Sequence, residues 1–192
     1  HAVIGAAEDA GIDLLINNAG LGRIGRVIDN TEEREAEMVQ VNIVAATELT
    51  RALLPGMLKR AHEKQQRCGI IFVASSAAFM PLPYFATYAA SKAFLLHYAE
   101  ALSEELSHDP IDVLALCPGA TEIQFFARAG VDRPSFTTLH SAERVAREGL
   151  QMLGQRDVHV VGPTNYLTSL VSRFLPRGWV TYAAERVMRE WK

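Results

Sequence analysis

The chain alternates between short apolar runs and longer stretches in which apolar residues recur with the period of a helix. Four of the short runs are mostly apolar without strict alternation, which is typical of strands covered by helices on both faces. Because helical stretches separate these runs, we expect crossover units that build an α/β fold with a doubly wound parallel sheet. The four predicted strands are Ile12–Ile16, Ile70–Val73, Asp112–Leu116 and Val158–Val161, and we expect all four to be buried.

The longest helical stretch runs from about Thr31 to Arg60. Asn30 is its expected N-cap, and the acidic residues in its first turns and basic residues at its end suit the helix dipole. Pro55 is expected to kink this helix or to split off its last turn. Further helices are expected at about Phe85–Ser107, Ser141–Leu153 and Leu167–Trp191. No linker or repeat interrupts the chain, so we expect one domain over residues 1–192 that ends in a helical tail at 164–192.

Composition and charge exclude several classes of protein. With 192 residues, 49% of them hydrophobic, the chain can build one globular core. Its 19 basic and 22 acidic residues give a formal charge of −3, so no nucleic-acid partner is expected. No apolar run approaches the ~18 residues of a membrane span. The two cysteines, Cys68 and Cys117, lack the spacing of a zinc site, so we expect no metal, a reducing compartment and a cytoplasmic location.

Small or polar turns follow three of the predicted strands. Asn17–Gly20 follows the first, Ser75 and Ser76 follow the second, and Pro118–Thr121 follows the third. Ligands of open parallel sheets bind outside the carboxyl ends of the strands. The three turns are therefore expected to converge on one ligand site.

A tyrosine and a lysine stand four residues apart, Tyr88 and Lys92, in the helix expected after the second strand. Residues at this spacing lie one turn apart on the same helix face. A nearby ammonium stabilises a phenolate, so Lys92 is expected to lower the pKa of Tyr88 toward the working pH of a general acid or base. The pair indicates proton transfer.

Taken together, Asn17–Gly20, Asn42, Ser75, Tyr88 with Lys92, and Pro118–Gly119 resemble the short-chain dehydrogenase/reductase family in order and approximate spacing. The resemblance is strong over about residues 11–126 and weak in the tail. It implies a Rossmann-type fold and reversible hydride transfer between NAD or NADP and a carbonyl or secondary alcohol. Each motif alone is common in other proteins, and the inference rests on their joint occurrence.

The resemblance also implies roles for individual residues. Tyr88 would exchange a proton with the substrate oxygen, while Lys92 would lower the Tyr88 pKa and hold the nicotinamide ribose. Ser75, chosen over Ser76 because it stands thirteen residues before Tyr88, would bind the substrate oxygen, and Asn42 would anchor a water. The cofactor-binding residues implied by position are Asn18, Ala19, Gly20, Tyr88, Lys92, Pro118, Gly119 and Thr121.

The stretch after the third strand departs from the family's pattern at one position, and it is also expected to cover the substrate. A threonine often stands five residues after the motif proline in this family, but Ile123 stands there and leaves Thr121 as the hydroxyl. The segment 121–139, which carries Phe125, Phe126 and Phe136, is expected to form an apolar lid over a hydrophobic substrate.

The resemblance implies that the family's phosphate-binding glycine turn and three strands lie upstream of His1. The first strand here would then be an exposed sheet edge unless that upstream segment covers it. The residue that selects NAD or NADP would lie there too. A second glycine pattern, Gly20-Leu-Gly-Arg-Ile-Gly25, is rejected as a dinucleotide fingerprint, because no helix is expected before about Asn30.

Alternative interpretations stay open. The chain could be a non-catalytic dinucleotide-binding or scaffold protein, although a binding-only module has no need of the Tyr88–Lys92 pair. It could also be an inactive fragment. Sugar-nucleotide epimerisation or dehydration uses the same pair. By resemblance, a dimer or tetramer is expected to form through Thr31–Arg60 and Phe85–Ser107.

The tail has five basic and two acidic residues between apolar ones, and we expect it to pack its apolar face beside the substrate cleft rather than touch a membrane.

Overall fold

Four parallel strands form one sheet, as predicted, and their order in the sheet is β1-β2-β3-β4. The computed structural model describes residues 2–121 and 139–189. The strands are β1 (Leu14–Asn17), β2 (Cys68–Val73), β3 (Ile111–Cys117) and β4 (Val158–Val160). The helices are α1 (Ala2–Ala10), α2 (Glu32–Val39), α3 (Ala45–Lys64), α4 (Ala86–Glu105), α5 (Ala142–Met152), α6 (Pro163–Phe174) and α7 (Arg177–Arg189).

Helices cover both faces of the two central strands. Ile70 and Phe72 of β2 belong to a core that includes Leu95 of α4, whereas Ile71 between them belongs to a second core with Val145 of α5. Because successive strand residues point to opposite faces, these two cores lie on opposite sides of the sheet. The doubly wound α/β fold expected from the sequence is therefore confirmed.

The expectation that all four strands are buried is wrong for the two outer ones. In β1, Leu14 and Ile16 are 39% and 48% exposed, whereas Leu15 between them is buried. The residues of β4 are half-buried. Each outer strand pairs with one neighbour in the described sheet, so fewer side chains cover it. The apolar edge expected at the first strand is present in the described residues.

The long helix predicted near Thr31–Arg60 is present but differs in detail. Thr31, not Asn30, is the N-cap, since its side chain accepts a hydrogen bond from the Arg34 N–H. A π turn, Gln40–Val44, joins α2 to α3. The helix then continues past Pro55 to Lys64, so the proline does not split off the last turn.

The C-terminal tail forms α6 and α7, but α6 has its polar side inward. Asn165 and Ser169 face the body of the protein, and the Ser172 hydroxyl donates a hydrogen bond to the Phe79 carbonyl. Five large apolar side chains share the opposite side of the helix, and we call them the α6 face. They are Tyr166, Leu167, Leu170, Val171 and Phe174, which are 53%, 60%, 37%, 45% and 80% exposed. The expectation that the apolar side of the tail packs inward is therefore wrong for α6.

Substitutions in these two environments are expected to differ in their effect on stability. Leu95→Ala should lower the free energy of unfolding by about 2–5 kcal/mol, because it leaves a cavity at a side chain that is 1% exposed. Phe174→Ser should change it by less than about 0.5 kcal/mol, because that side chain is largely in water. Urea unfolding followed by circular dichroism measures both. A larger loss for Phe174→Ser would contradict the outward orientation of the α6 face.

Candidate functional site

A cavity of about 750 Å³ opens at the edge of the sheet where the strands end. The turns after β1, β2 and β3 all contribute to its wall, as the parallel order of the strands requires. Nine of the ten residues singled out from the sequence line it: Asn18, Ala19, Gly20, Ser75, Tyr88, Lys92, Pro118, Gly119 and Thr121. The tenth, Asn42, lies behind the wall.

Tyr88 reaches the cavity from the first turn of α4. Its ring stacks on Phe85 with 4.2 Å between ring centroids, and its side chain hydrogen-bonds Ser75. Burial disfavours the phenolate and raises the pKa of Tyr88 to about 12, while the hydrogen bond with Ser75 acts in the opposite direction. The phenol therefore keeps its proton at neutral pH in this structure.

Lys92 lies one turn further along α4 and is 4% exposed. Its Nζ donates a hydrogen bond of 2.7 Å to the carbonyl of Val73 at the end of β2. Burial disfavours the ammonium and lowers the pKa of Lys92 to about 8. The ammonium is thus fixed at the cavity wall and titrates near physiological pH.

The expectation that Lys92 lowers the pKa of Tyr88 is wrong for this structure. The Lys92 Nζ lies 5.8 Å from the centroid of the Tyr88 ring and is bonded to the Val73 carbonyl. Burial dominates the Tyr88 pKa, and Ser75 is the group that opposes it. The sequence places the two side chains on one helix face but does not specify how deeply the phenol is buried.

Asn42 is completely buried in the π turn. Its Oδ1 accepts a hydrogen bond of 2.7 Å from the Leu21 N–H, and its Nδ2 donates to the Leu21 carbonyl at 2.9 Å and to the Ser91 hydroxyl at 2.8 Å. Asn42 therefore fastens the loop after β1 to α4, next to Lys92. The water that the resemblance assigns to Asn42 stays a prediction.

The turn after β2 is tied to the turn after β3. The Ser75 hydroxyl accepts a hydrogen bond from the Ala77 N–H and caps a short 3-10 turn, Ser76–Phe79. The Ser76 N–H donates to the Pro118 carbonyl at 2.8 Å. The serine expected to contact substrate thus also holds its own loop in place.

The tail contributes to the wall, as expected for its last helix, α7, but the sequence singled out none of its residues as lining. The tail residues that line the wall are Asn165, Thr168, Ser169, Val187 and Met188. Asn165 lies against the turn after β3, because a Cβ atom on residue 119 would lie 2.2 Å from its Nδ2. The strand-end rule applied to the first three strands also holds for β4, and it would have indicated Asn165.

The second glycine pattern, Gly20–Gly25, does not open a helix. Residues 18–26 have no helical structure, and the first α-helix after them begins at Glu32. Its rejection as a dinucleotide fingerprint is confirmed. The predicted lid at 121–139 with Phe125, Phe126 and Phe136, and the departure at Ile123, lie outside the described residues apart from the two ends of that segment.

Comparison with known proteins shows the family of the chain. The sequence model of the short chain dehydrogenase family matches residues 2–133. Human dehydrogenase/reductase SDR family member 4 is 32% identical over 140 residues, which make up 72% of this chain and 49% of that protein. Ketoacyl reductase HetN of Nostoc sp. is 27% identical over 177 residues, which make up 91% of this chain and 60% of that protein. The chain thus spans about half to three fifths of the length of these curated relatives.

Solved structures share the arrangement of strands and helices. The 3-ketoacyl-(acyl-carrier-protein) reductase of Brucella melitensis, complexed with NADH, gives a TM-score of 0.72 at 28% identity and covers 83% of this chain and 72% of that one. A short-chain dehydrogenase of Sphingobium yanoikuyae in complex with NADPH gives 0.70 at 25% identity, with 90% and 68% covered. Since the family's sequence model covers more than half of the chain, including every cavity-lining turn from Asn18 to Thr121, the chain belongs to the short-chain dehydrogenase family.

Proposed function

We propose that this chain carries the catalytic part of an oxidoreductase that transfers a hydride between NAD or NADP and a carbonyl or secondary alcohol. The observation that carries the proposal is the joint position of three side chains in one cavity. Tyr88 touches Ser75, and Lys92 lies one helix turn away on the same wall. A purely binding module has no need of a buried phenol held against a hydroxyl.

The cavity fits the nicotinamide part of such a cofactor. The buried Lys92 ammonium has a single carbonyl as its hydrogen-bond acceptor among the described residues, so further N–H groups can bind ribose hydroxyls. Gly20 lets a ligand approach the lysine, because a Cβ there would lie 3.1 Å from Nζ. Asn18, Ala19 and the turn Pro118–Thr121 would hold the rest of that half. The cofactor, when bound, supplies or accepts the hydride.

Tyr88 would donate a proton to the substrate oxygen, and Ser75 would orient that oxygen. A phenol that keeps its proton at neutral pH can donate it to a carbonyl oxygen as the hydride arrives at carbon. The Ser75 hydroxyl, already in contact with Tyr88, would orient that oxygen. The protonated phenol is the form of Tyr88 that reduction of a carbonyl uses, and oxidation of an alcohol would use the same pair in reverse.

The apolar part of the cavity wall suits a hydrophobic substrate. Leu21, Met80, Leu82, Phe85 and Met188 line it beside the polar groups. Burying an apolar substrate against these side chains stabilises the complex without specific hydrogen bonds. The substrate we infer is a small-molecule ketone or alcohol with an apolar body. A cytoplasmic location and a dimer or tetramer stay predictions.

Replacing Tyr88 with phenylalanine separates catalysis from cofactor binding. Tyr88→Phe should lower turnover of NADPH or NADH with acetophenone or acetoacetyl-CoA by at least about 100-fold, because the proton donor is lost. The shift in melting temperature caused by the cofactor should persist, because the phenyl ring still packs on Phe85. The larger shift identifies the preferred cofactor. Turnover retained in Tyr88→Phe would overturn the role of Tyr88, and no shift with either cofactor would overturn a cofactor site in this chain.

Cofactor affinity should depend on pH through Lys92. Its pKa lies at about 8 instead of the ordinary 10.5, so the ammonium is present below pH 8 and is lost as the pH rises through 8. If the ammonium binds ribose, the Kd for NADPH should rise above pH 8 by up to about tenfold per pH unit. Fluorescence titrations between neutral and alkaline pH measure this. Tyr88→Phe is the matched control and should keep the same dependence, whereas a flat Kd would contradict the assignment.

The side chain of Asn165 should make any residue larger than glycine unfavourable at position 119. Gly119→Ala should weaken cofactor binding by about tenfold or more, because the new methyl group would collide with the Asn165 amide and displace the turn. Adding Asn165→Ala removes the colliding atoms and should restore most of the affinity. Calorimetric titration of both variants with NADPH tests this. Equal weakening in the double variant would show that the two residues do not constrain each other.

A further inference from the structure

We propose that the α6 face binds the surface of a membrane containing anionic lipids, with exposed arginines next to it holding the headgroups. The face consists of Tyr166, Leu167, Leu170, Val171 and Phe174, as defined above. This inference does not depend on the proposed catalytic function, because none of these five side chains lines the cavity.

The polarity of α6 is the first observation that carries the proposal. A helix on the surface of a protein usually turns its apolar side inward and its polar side to water. Here Ser169 is 6% exposed on the inner side, while Phe174 is 80% exposed on the outer side. Large apolar side chains that share one exposed side of a helix indicate a binding surface. The orientation of α6 therefore points to a partner that accepts an apolar face.

Charge is the second observation. The chain as a whole is acidic, yet no acidic residue occurs between Asp157 and Glu185. Arg173 and Arg177 are exposed within this stretch. Glu185, the first carboxylate beyond it, is already bonded to Arg189 and Tyr84. The stretch of chain that carries the α6 face is therefore positive, which complements an anionic surface.

The side chains at the start of α7 have the composition typical of membrane interfaces. Trp179 and Tyr182 are 71% and 61% exposed. The Arg186 guanidinium lies 5.1 Å from the centre of the Tyr182 ring. Aromatic rings with a polar end, next to arginines, are favoured at the depth of lipid headgroups. These side chains form a second exposed aromatic and basic group, in the helix that follows α6.

A bound lipid surface fits these observations better than a second copy of the chain. In a symmetric dimer the same patch meets itself, and the stretch that carries it contains no acidic residue that could neutralise Arg173 and Arg177. Anionic headgroups would instead neutralise them. No helix among the described residues is long and apolar enough to cross a membrane. The contact we infer therefore lies along the surface, as an amphipathic helix does.

Flotation of the 192-residue chain with lipid vesicles tests the proposal. Vesicles of phosphatidylcholine with phosphatidylglycerol should bind the chain, those of phosphatidylcholine alone should bind it several-fold less, and added salt should weaken binding. Phe174→Ser should reduce binding about tenfold, since it removes a large apolar group from the contact. The double variant Arg173→Gln, Arg177→Gln should reduce binding to the anionic vesicles specifically.

Ile28→Ser is the matched control, because Ile28 is an apolar side chain of similar exposure, 76%, outside the α6 face. It should leave vesicle binding unchanged. Far-UV circular dichroism and the urea midpoint verify that each variant stays folded. Absence of binding, or equal binding to both kinds of vesicle, would overturn the proposal. So would a dimer, detected by light scattering, that dissociates in Phe174→Ser, because the α6 face would then bind a second copy.

Discussion

Strands β2 and β3 pair in parallel from Cys68 with Ile111 to Val73 with Leu116, and the position of the candidate site depends on this pairing. Both strands are almost entirely buried, so a shift in their register would expose apolar side chains or bury backbone groups without partners. The register fixes where the two strands end. It thereby brings Ser75 and Pro118 to the same edge, where the Ser76 N–H joins the two turns.

The side chains of the site are attached to this frame by buried polar contacts. Lys92 bonds to the last residue of β2, and Asn42 joins the loop after β1 to α4. Such contacts are strong where water is excluded, and each leaves a costly unsatisfied group if a partner is lost. The cavity therefore has walls that are set by the sheet and by two buried side chains. Preorganisation of this kind is what a hydride-transfer site requires.

The sequence alone predicted what depends on local pattern and failed where packing decides. The four strands, α4 and the convergence of Asn18, Ser75, Tyr88 and Pro118 follow from periodicity and from the geometry of parallel sheets. The Tyr88 pKa could not be predicted, because it depends on how completely the phenol is buried. The orientation of α6 could not be predicted either. Its periodicity defines an apolar side, but the turn Ser76–Phe79 and Asn165 determine which side faces inward.

The π turn at Gln40–Val44 gives the helix that runs from Glu32 to Lys64 a fixed length requirement. A π turn contains one residue more than the α-helical turn it replaces. Deleting one residue there would restore a regular α-helix, and α2 and α3 would keep their orientation, because the π turn takes up the extra residue within a single turn. The wide turn that carries Asn42 would be lost, however, and with it the hydrogen bonds between Asn42 and Leu21. Homologous chains that keep this clamp should therefore keep the extra residue, whereas chains that lack the clamp can lose that residue and leave the rest of the helix unchanged.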